Sequence, residues 1–144
     1  MAKAVLQLDN ILFGEQVQSK EEAIRKVGGL LIKNGYVNEE YVNKMMDREA
    51  LTSTYMGNFL AIPHGTEEAK KEVVESGITI MLLDKPIDWD GNEVKLVIGI
   101  AGKGDEHLSI LSNIAITCSD EETLEQILSA DSKETLMNFF QEVE

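Results

Sequence analysis

The most constraining feature of this sequence is the apolar run Phe59–Ile62, followed at once by Pro63-His64-Gly65. The run predicts a buried strand that ends at Pro63, because proline has no N–H to donate to a neighbouring strand. Gly65 has free backbone dihedrals, and Thr66 is expected to cap a helix that follows. His64 therefore lies at the end of a rigid element, near a helix N-terminus that favours an anion. This arrangement suits phosphate chemistry, and the alternative is a turn histidine with no role.

A second histidine follows a second apolar strand. The segments Gly77–Leu83 and Val94–Ala101 both predict buried strands, and Asp90-Gly91 between them predicts a turn. The helix expected after the second strand carries His107 in its first turn, where backbone N–H groups are free. The alternative is a solvated histidine with an ion pair to Glu106.

Capping residues predict where the helices begin. Each start has a side chain that can accept a hydrogen bond from the first turn, and apolar residues then recur at helical spacing. The predicted starts are Ser19, Asn38, Asp105, Ser119 and Asp131. Arg48 falls near the end of the second helix. It either stabilises that helix end by its charge alone or aims its planar guanidinium at phosphate oxygens.

Strands that alternate with helices predict an α/β fold. We expect a single layered domain over residues 1–144, with a mixed, largely parallel β-sheet flanked by helices. Ligand sites in such sheets collect at the carboxyl ends of strands. His64 and His107 both follow predicted strands, so the fold is expected to bring them to one edge of the sheet.

Composition and missing motifs exclude several functions. The net charge of −13 opposes nucleic-acid binding and would attract a basic protein partner, although it also serves solubility alone. We find no signal peptide and no apolar run that predicts a transmembrane helix, and the single cysteine, Cys118, suits a reducing cytosol. A cytoplasmic location is therefore expected. The sequence also lacks a nucleotide-binding P-loop, a hydrolase nucleophile motif and the spacing of a zinc site, so we expect neither a cofactor nor a metal.

Two segments carry a family resemblance. Gly57-Asn58 with Ala61–Thr66 resembles the active-site segment of the enzyme IIA proteins of the sugar phosphotransferase system, in the fructose–mannitol branch. Leu96–Ala101 with Glu106-His107 is similar to the second active-site segment of that family. The resemblance runs from about residue 8 to the C-terminal helices. It departs at Phe59, where many members carry a small residue, which bears on the shape of the surface beside the histidine.

Two further segments narrow the resemblance to one group of members, and the resemblance also identifies site residues. Arg48–Gly57 and Asn34–Val37 look like the mannitol-specific members. The resemblance implies that His64 is the phosphorylated residue, that Arg48 lies beside it, and that His107 is the second active-site histidine. It implies no metal, nucleotide or other cofactor at this step.

The resemblance also implies two partners. The phosphoryl donor is the phosphohistidine of the general phosphocarrier protein HPr. The acceptor is a cysteine on the IIB domain of a mannitol permease, which must sit on another chain because no IIB or membrane segment is present here. One alternative is a regulatory, nitrogen-type relative that binds partners according to its phosphorylation state. Another is a noncatalytic module that binds a metal or an anion.

Overall fold

Residues 5–140, described by a computed structural model, build a five-stranded mixed sheet. Its strands lie in the order β1, β4, β5, β3, β2. Parallel pairing joins β1 to β4 and β3 to β5, whereas β4 with β5 and β2 with β3 are antiparallel. The bounds are Ile11–Glu15 for β1, Tyr55–Gly57 for β2, Leu60–Ala61 for β3, Gly77–Trp89 for β4 and Asn92–Ala101 for β5.

Helices cover both faces of this sheet, which confirms the predicted α/β class. Five α-helices and two 3-10 helices are present in the described part of the chain. They are α1 (Lys20–Lys33), α2 (Glu40–Leu51), α3 (Glu106–Ser119), α4 (Glu121–Leu128), α5 (Lys133–Phe140) and the 3-10 helices Leu8–Asn10 and Glu67–Glu72. The predicted domain bounds, 1–144, include residues 1–4 and 141–144, which lie outside the described residues. Among residues 5–140, no helix has the length and apolar character needed to cross a membrane.

Successive side chains of β4 point to opposite faces of the sheet and contribute to two separate hydrophobic cores. Ile78, Ile80 and Leu82 face the core under α3, α4 and α5, as their spacing predicts. Met81 and Leu83 point to the opposite face and pack with the buried side of α1 and α2. Because both faces of the central strands are buried, the ends of β3 and β5 are held in a fixed relation to each other.

The turn before β3 differs from the prediction, because Phe59 does not begin the buried strand. Asn58 and Phe59 form a two-residue loop between β2 and β3, with φ of 52° and 68°. Two positive φ values in such a loop are typical of the type I′ hairpin turn. Phe59 is 41 % exposed and lies beside α4, so the surface there carries an aromatic side chain.

The predicted capping bond is confirmed at one helix start and shifted by one residue at two others. Ser19 Oγ accepts from the Glu22 N–H at 3.2 Å and caps α1. The cap of α4 is the neighbouring Asp120, which accepts from the N–H of residue 123, and the prediction of Ser119 is wrong by one position. The start of α5 is likewise held by Ser132, which accepts from the N–H of residue 135, and not by Asp131.

Three other predicted caps make no capping bond with their side chains. Asp105 and Thr66 do stand at the starts of the segments they were predicted to precede, whereas α2 begins one residue later than predicted, with Glu39 rather than Asn38 at its N-cap. Asn38 donates its side-chain amide to Glu72 at 3.4 Å instead. Asp105 makes no side-chain cap to α3, and Thr66 makes none to the segment after His64, which is a 3-10 helix. The free N–H groups at the starts of these two segments are therefore not occupied by the predicted caps.

Phe59 allows a test of the hairpin turn. A side chain in the left-handed region costs about 1–2 kcal/mol, which glycine avoids. We expect Phe59→Gly to be more stable than Phe59→Ala by about 1 kcal/mol in urea unfolding, because both variants lose the ring and only alanine keeps the strain. Asn58→Gly against Asn58→Ala should give a difference of similar size, because alanine is strained at the φ of 52° whichever residue it replaces. Equal stability of the two Phe59 variants would contradict a strained turn.

Candidate active site

The fold brings both histidines to one edge of the sheet. His64 follows β3 and forms a parallel bridge with Ile100 of β5, whose N–H donates to the Pro63 carbonyl at 3.0 Å. His107 lies in the first turn of α3, which follows β5. The two imidazole centroids are 5.1 Å apart, with an angle of 52° between the ring planes. The expectation that only the fold joins these residues, which are distant in sequence, is therefore correct.

One hydrogen bond assigns the tautomer of His64. Its Nδ1 lies 2.8 Å from the carbonyl oxygen of Ile62, which can only accept. Nδ1 therefore carries the proton, and the lone pair of the neutral ring is on Nε2. The residue is 8 % exposed, and burial is the main cause that lowers the pKa of His64 below its ordinary value. His64 is thus a neutral imidazole whose free nitrogen is set by the backbone.

Tyr41 fastens the loop that carries His64. Its hydroxyl donates to the Ile100 carbonyl at 2.7 Å and accepts from the Gly65 N–H at 2.9 Å. A Cβ on Gly65 would lie 2.7 Å from the Tyr41 ring, so glycine is required here for space. Burial raises the pKa of Tyr41 to about 12, which keeps the hydroxyl protonated. Sequence reasoning missed this residue, because nothing local indicates which strand end a helical tyrosine will reach.

His107 has an unused ring nitrogen. Its buried Nε2 has no hydrogen-bond partner among residues 5–140. Burial, followed by the neighbouring His64 and the charge of Lys70, lowers the pKa of His107 to about 4. The alternative of an ion pair with Glu106 is not what the structure shows, because that carboxylate accepts from the Ser76 hydroxyl at 3.0 Å. His107 is therefore neutral as well, and Nε2 is available to a ligand.

A small pocket lies beside His107. It is bounded by the loop after His64, the 3-10 helix that follows this loop, and the connection between β5 and α3. Its lining residues are Tyr41, Gly65, Thr66, Glu67, Lys70, Val73, Gly102 and His107. Gly102 is needed for the close approach, since a Cβ there would lie 2.2 Å from the backbone Cα of His107. The close approach of the backbone at Gly102 thus limits the size of the pocket. Lys70 and Glu67, which also line it, form an ion pair at 2.9 Å.

Arg48 places a positive charge near both histidines. It lies in the last turn of α2, as predicted, and its Nη1 donates to the Thr52 carbonyl at 2.8 Å. The guanidinium is close enough that its charge contributes to lowering the pKa of both histidines. One bond from Nη1 leaves the other N–H groups of the guanidinium for an anion.

Glu49 is a second residue that sequence reasoning missed. It is 5 % exposed and accepts from the N–H and hydroxyl of Thr54 and from the indole N–H of Trp89. A weak signal existed, because Tyr41, Met45 and Glu49 follow each other at four-residue spacing and form one buried stripe of α2.

Candidate metal ligands do not cluster. Within residues 5–140, no group of three His, Cys, Asp or Glu side chains is placed to hold a metal ion. Cys118 is buried and unpaired, and burial raises the pKa of its thiol to about 12. The thiol is therefore a core group.

Known proteins resemble this chain along nearly its whole length. The family described as "Phosphoenolpyruvate-dependent sugar phosphotransferase system, EIIA 2" matches residues 4–143. The "Mannitol-specific phosphotransferase enzyme IIA component" of Halalkalibacterium halodurans is 54% identical over 143 residues, covering 99% of each chain. The protein of the same name from Bacillus subtilis is 56% identical over 140 residues, covering 96% of this chain and 98% of the other. The solved complex of enzyme IIAMTL with phosphorylated enzyme IIBMTL from Escherichia coli matches with a TM-score of 0.88, 35% identity and coverage of 95% and 97%.

The depressed pKa of His107 gives a prediction about stability. Unfolded histidine has a pKa near 6.5, whereas His107 in the folded chain has about 4, so between these values the unfolded chain binds a proton that the folded chain does not. This group therefore lowers the free energy of unfolding as the pH falls through that window. We expect His107→Gln to lose stability less steeply than the wild type in urea unfolding at decreasing pH. Above about pH 7.5 the free energies of unfolding of the two proteins should depend on pH in the same way, which is the internal control. The same pH dependence of both proteins over the whole range would contradict the lowered pKa of His107.

Proposed function

Because the chain belongs to the EIIA type 2 family of the phosphoenolpyruvate-dependent sugar phosphotransferase system, we propose that it is a phosphocarrier that works through His64. The observation that carries this proposal is the bond from His64 Nδ1–H to the Ile62 carbonyl, which leaves the Nε2 lone pair as a nucleophile at neutral pH. The charge of Arg48, which acts on both histidines, and the unpartnered Nε2 of His107 support it.

The proposed transfer exchanges one P–N bond for another. Nε2 of His64 attacks the phosphorus of a donor phosphohistidine in line, and the electron pair of the broken bond stays on the donor imidazole. No proton has to leave the attacking nitrogen, because the proton of the ring is on Nδ1. The positive charge that develops on the ring is stabilised by the Ile62 carbonyl, which already accepts from Nδ1–H.

The remaining groups act on the phosphoryl oxygens. The transition state of phosphoryl transfer is loose, so the protein contributes position and charge. Arg48 offers its unused N–H groups to these oxygens, a planar geometry that lysine does not reproduce. Neutral His107 donates from Nε2, which supplies that buried nitrogen with the partner it lacks. His64 is the better nucleophile of the two, since its ring is held by the backbone.

We propose that HPr is the donor and that a cysteine of a mannitol-specific IIB domain is the acceptor. The cysteine thiolate attacks the phosphorus, and the electron pair of the broken P–N bond returns to His64. The names of the relatives support the mannitol branch over a regulatory, nitrogen-type protein. The complex of the Escherichia coli IIAMTL with phosphorylated IIBMTL supports the second partner. The charge of −13 favours association with a basic surface, and we propose a cytoplasmic location.

Replacing His64 tests the nucleophile. We expect His64→Ala to fold but to take no phosphate from phosphorylated HPr, because it lacks the attacking nitrogen. The label on the wild type should be labile in acid and stable in alkali, as a phosphoramidate is. Onward transfer to a mannitol IIB domain then tests the acceptor. His107→Ala is the control and should still be labelled on His64. Substantial labelling of His64→Ala would contradict the assignment.

Replacing His107 tests the stabilising role. Loss of one preorganised donor typically slows a reaction by roughly 100- to 1000-fold. We expect His107→Ala to exchange phosphate about that much more slowly in both directions, measured by rapid-quench kinetics with the labelled site mapped. A wild-type rate would make His107 a bystander, and a label on His107 in the wild type would reverse the two roles.

A further inference from the structure

A buried carboxylate lies directly after Arg48 in α2, outside the group of residues that face the phosphoryl site. Both oxygens of Glu49 are used: Oε1 accepts from the Thr54 hydroxyl at 2.5 Å, and Oε2 accepts from the Thr54 N–H at 3.1 Å and from the Trp89 indole at 3.0 Å. Lys20 is 3.8 Å away but pairs more closely with Asp90, at 2.8 Å. The carboxylate is thus held mainly by neutral donors.

The main chain continues from Thr54 to the histidine. The Thr54 carbonyl accepts from the Ile62 N–H at 3.0 Å. The Ile62 carbonyl then accepts from Nδ1–H of His64 at 2.8 Å. A residue that fixes Thr54 therefore fixes the carbonyl that sets the tautomer of His64.

The Glu49 carboxylate also restrains the guanidinium of Arg48. Arg48 donates to the Thr52 carbonyl at 2.8 Å, and Thr52 lies two residues before Thr54 in the short connection from α2 to β2. Glu49 binds Thr54 at the end of this connection, so it also restrains the Thr52 carbonyl that accepts from the guanidinium. One side chain thereby restrains both the nucleophile and its positive neighbour.

Neutral isosteres cannot fill this role. Three N–H and O–H donors converge on the two oxygens of Glu49, whereas glutamine has one acceptor oxygen and an NH₂ group that would face a donor. The negative charge also acts on His64, whose pKa it raises against the lowering by burial. A buried charge is costly unless its hydrogen bonds repay it, so its presence beside the site calls for a function.

We propose that Glu49 is a positioning residue for phosphoryl transfer. Through Thr54 it holds the Ile62 carbonyl in place beside His64, and it also restrains the end of α2, which carries Arg48. The proposal rests on the proposed function. It differs from a structural role in one respect: loss of the carboxylate must change the state of the His64 ring, in addition to the stability of the fold.

The test compares Glu49→Gln with Trp89→Phe. Both variants remove a buried hydrogen bond of the same carboxylate group, but only the first disturbs Thr54. We expect Glu49→Gln to slow transfer from phosphorylated HPr by about 10- to 100-fold, as loss of outer partners of a site does. Its His64 should show ¹⁵N shifts of mixed tautomers, whereas Trp89→Phe loses stability and keeps both the rate and the single Nδ1–H tautomer.

The outcomes separate the two proposals. An unlabelled wild type would contradict the proposed function itself, whereas a Glu49→Gln protein with the wild-type rate and tautomer would overturn only the role of Glu49. Equal loss of rate in Trp89→Phe would also overturn it, since the effect would then follow stability. If Glu49→Gln does not fold, Thr54→Val decides, because it removes only the hydroxyl bond: a mixed tautomer supports the role and an unchanged one overturns it.

Discussion

The parallel pairing of β3 with β5 is the contact on which the candidate site depends. β3 has only two residues in ladder register, and the pairing continues through the Pro63 carbonyl and the bridge between His64 and Ile100. Because the two strands are parallel, their carboxyl ends meet at one edge, and the residues that follow them converge. Tyr41 reinforces the junction from α2 by bonding to Ile100 and Gly65 together.

Burial then gives this edge its chemistry. It keeps both imidazoles neutral, and the backbone decides which nitrogen of His64 is free. Arg48 stays only half-buried at the helix end and can meet an incoming phosphoryl group. In the proposed transfer His64 is the nucleophile, His107 a neutral donor and Arg48 a charged donor, and none of these groups has to lose a proton when the phosphoryl group arrives.

The sequence predicted the parts of this arrangement that have local signals. Apolar runs and the residues after them predicted the α/β class and the shared edge of His64 and His107, and family resemblance added Arg48. The exposed turn at Phe59 was missed, because a positive φ at an aromatic residue has no local signal and was imposed by the hairpin. Tyr41 and Glu49 were missed for a different reason, since their partners are remote in sequence and only the folded packing defines them.

In the proposed mechanism, the bond from Nδ1–H to the Ile62 carbonyl makes Nε2 of His64 the phosphoryl acceptor. ³¹P and ¹⁵N NMR of the ¹⁵N-labelled protein, after phosphorylation by HPr, identifies the nitrogen directly through its coupling to phosphorus. We expect one phosphoryl group on Nε2 of His64, with Nδ1 still protonated and bonded to the carbonyl. A phosphoryl group on Nδ1 of His64, or on either nitrogen of His107, would contradict it.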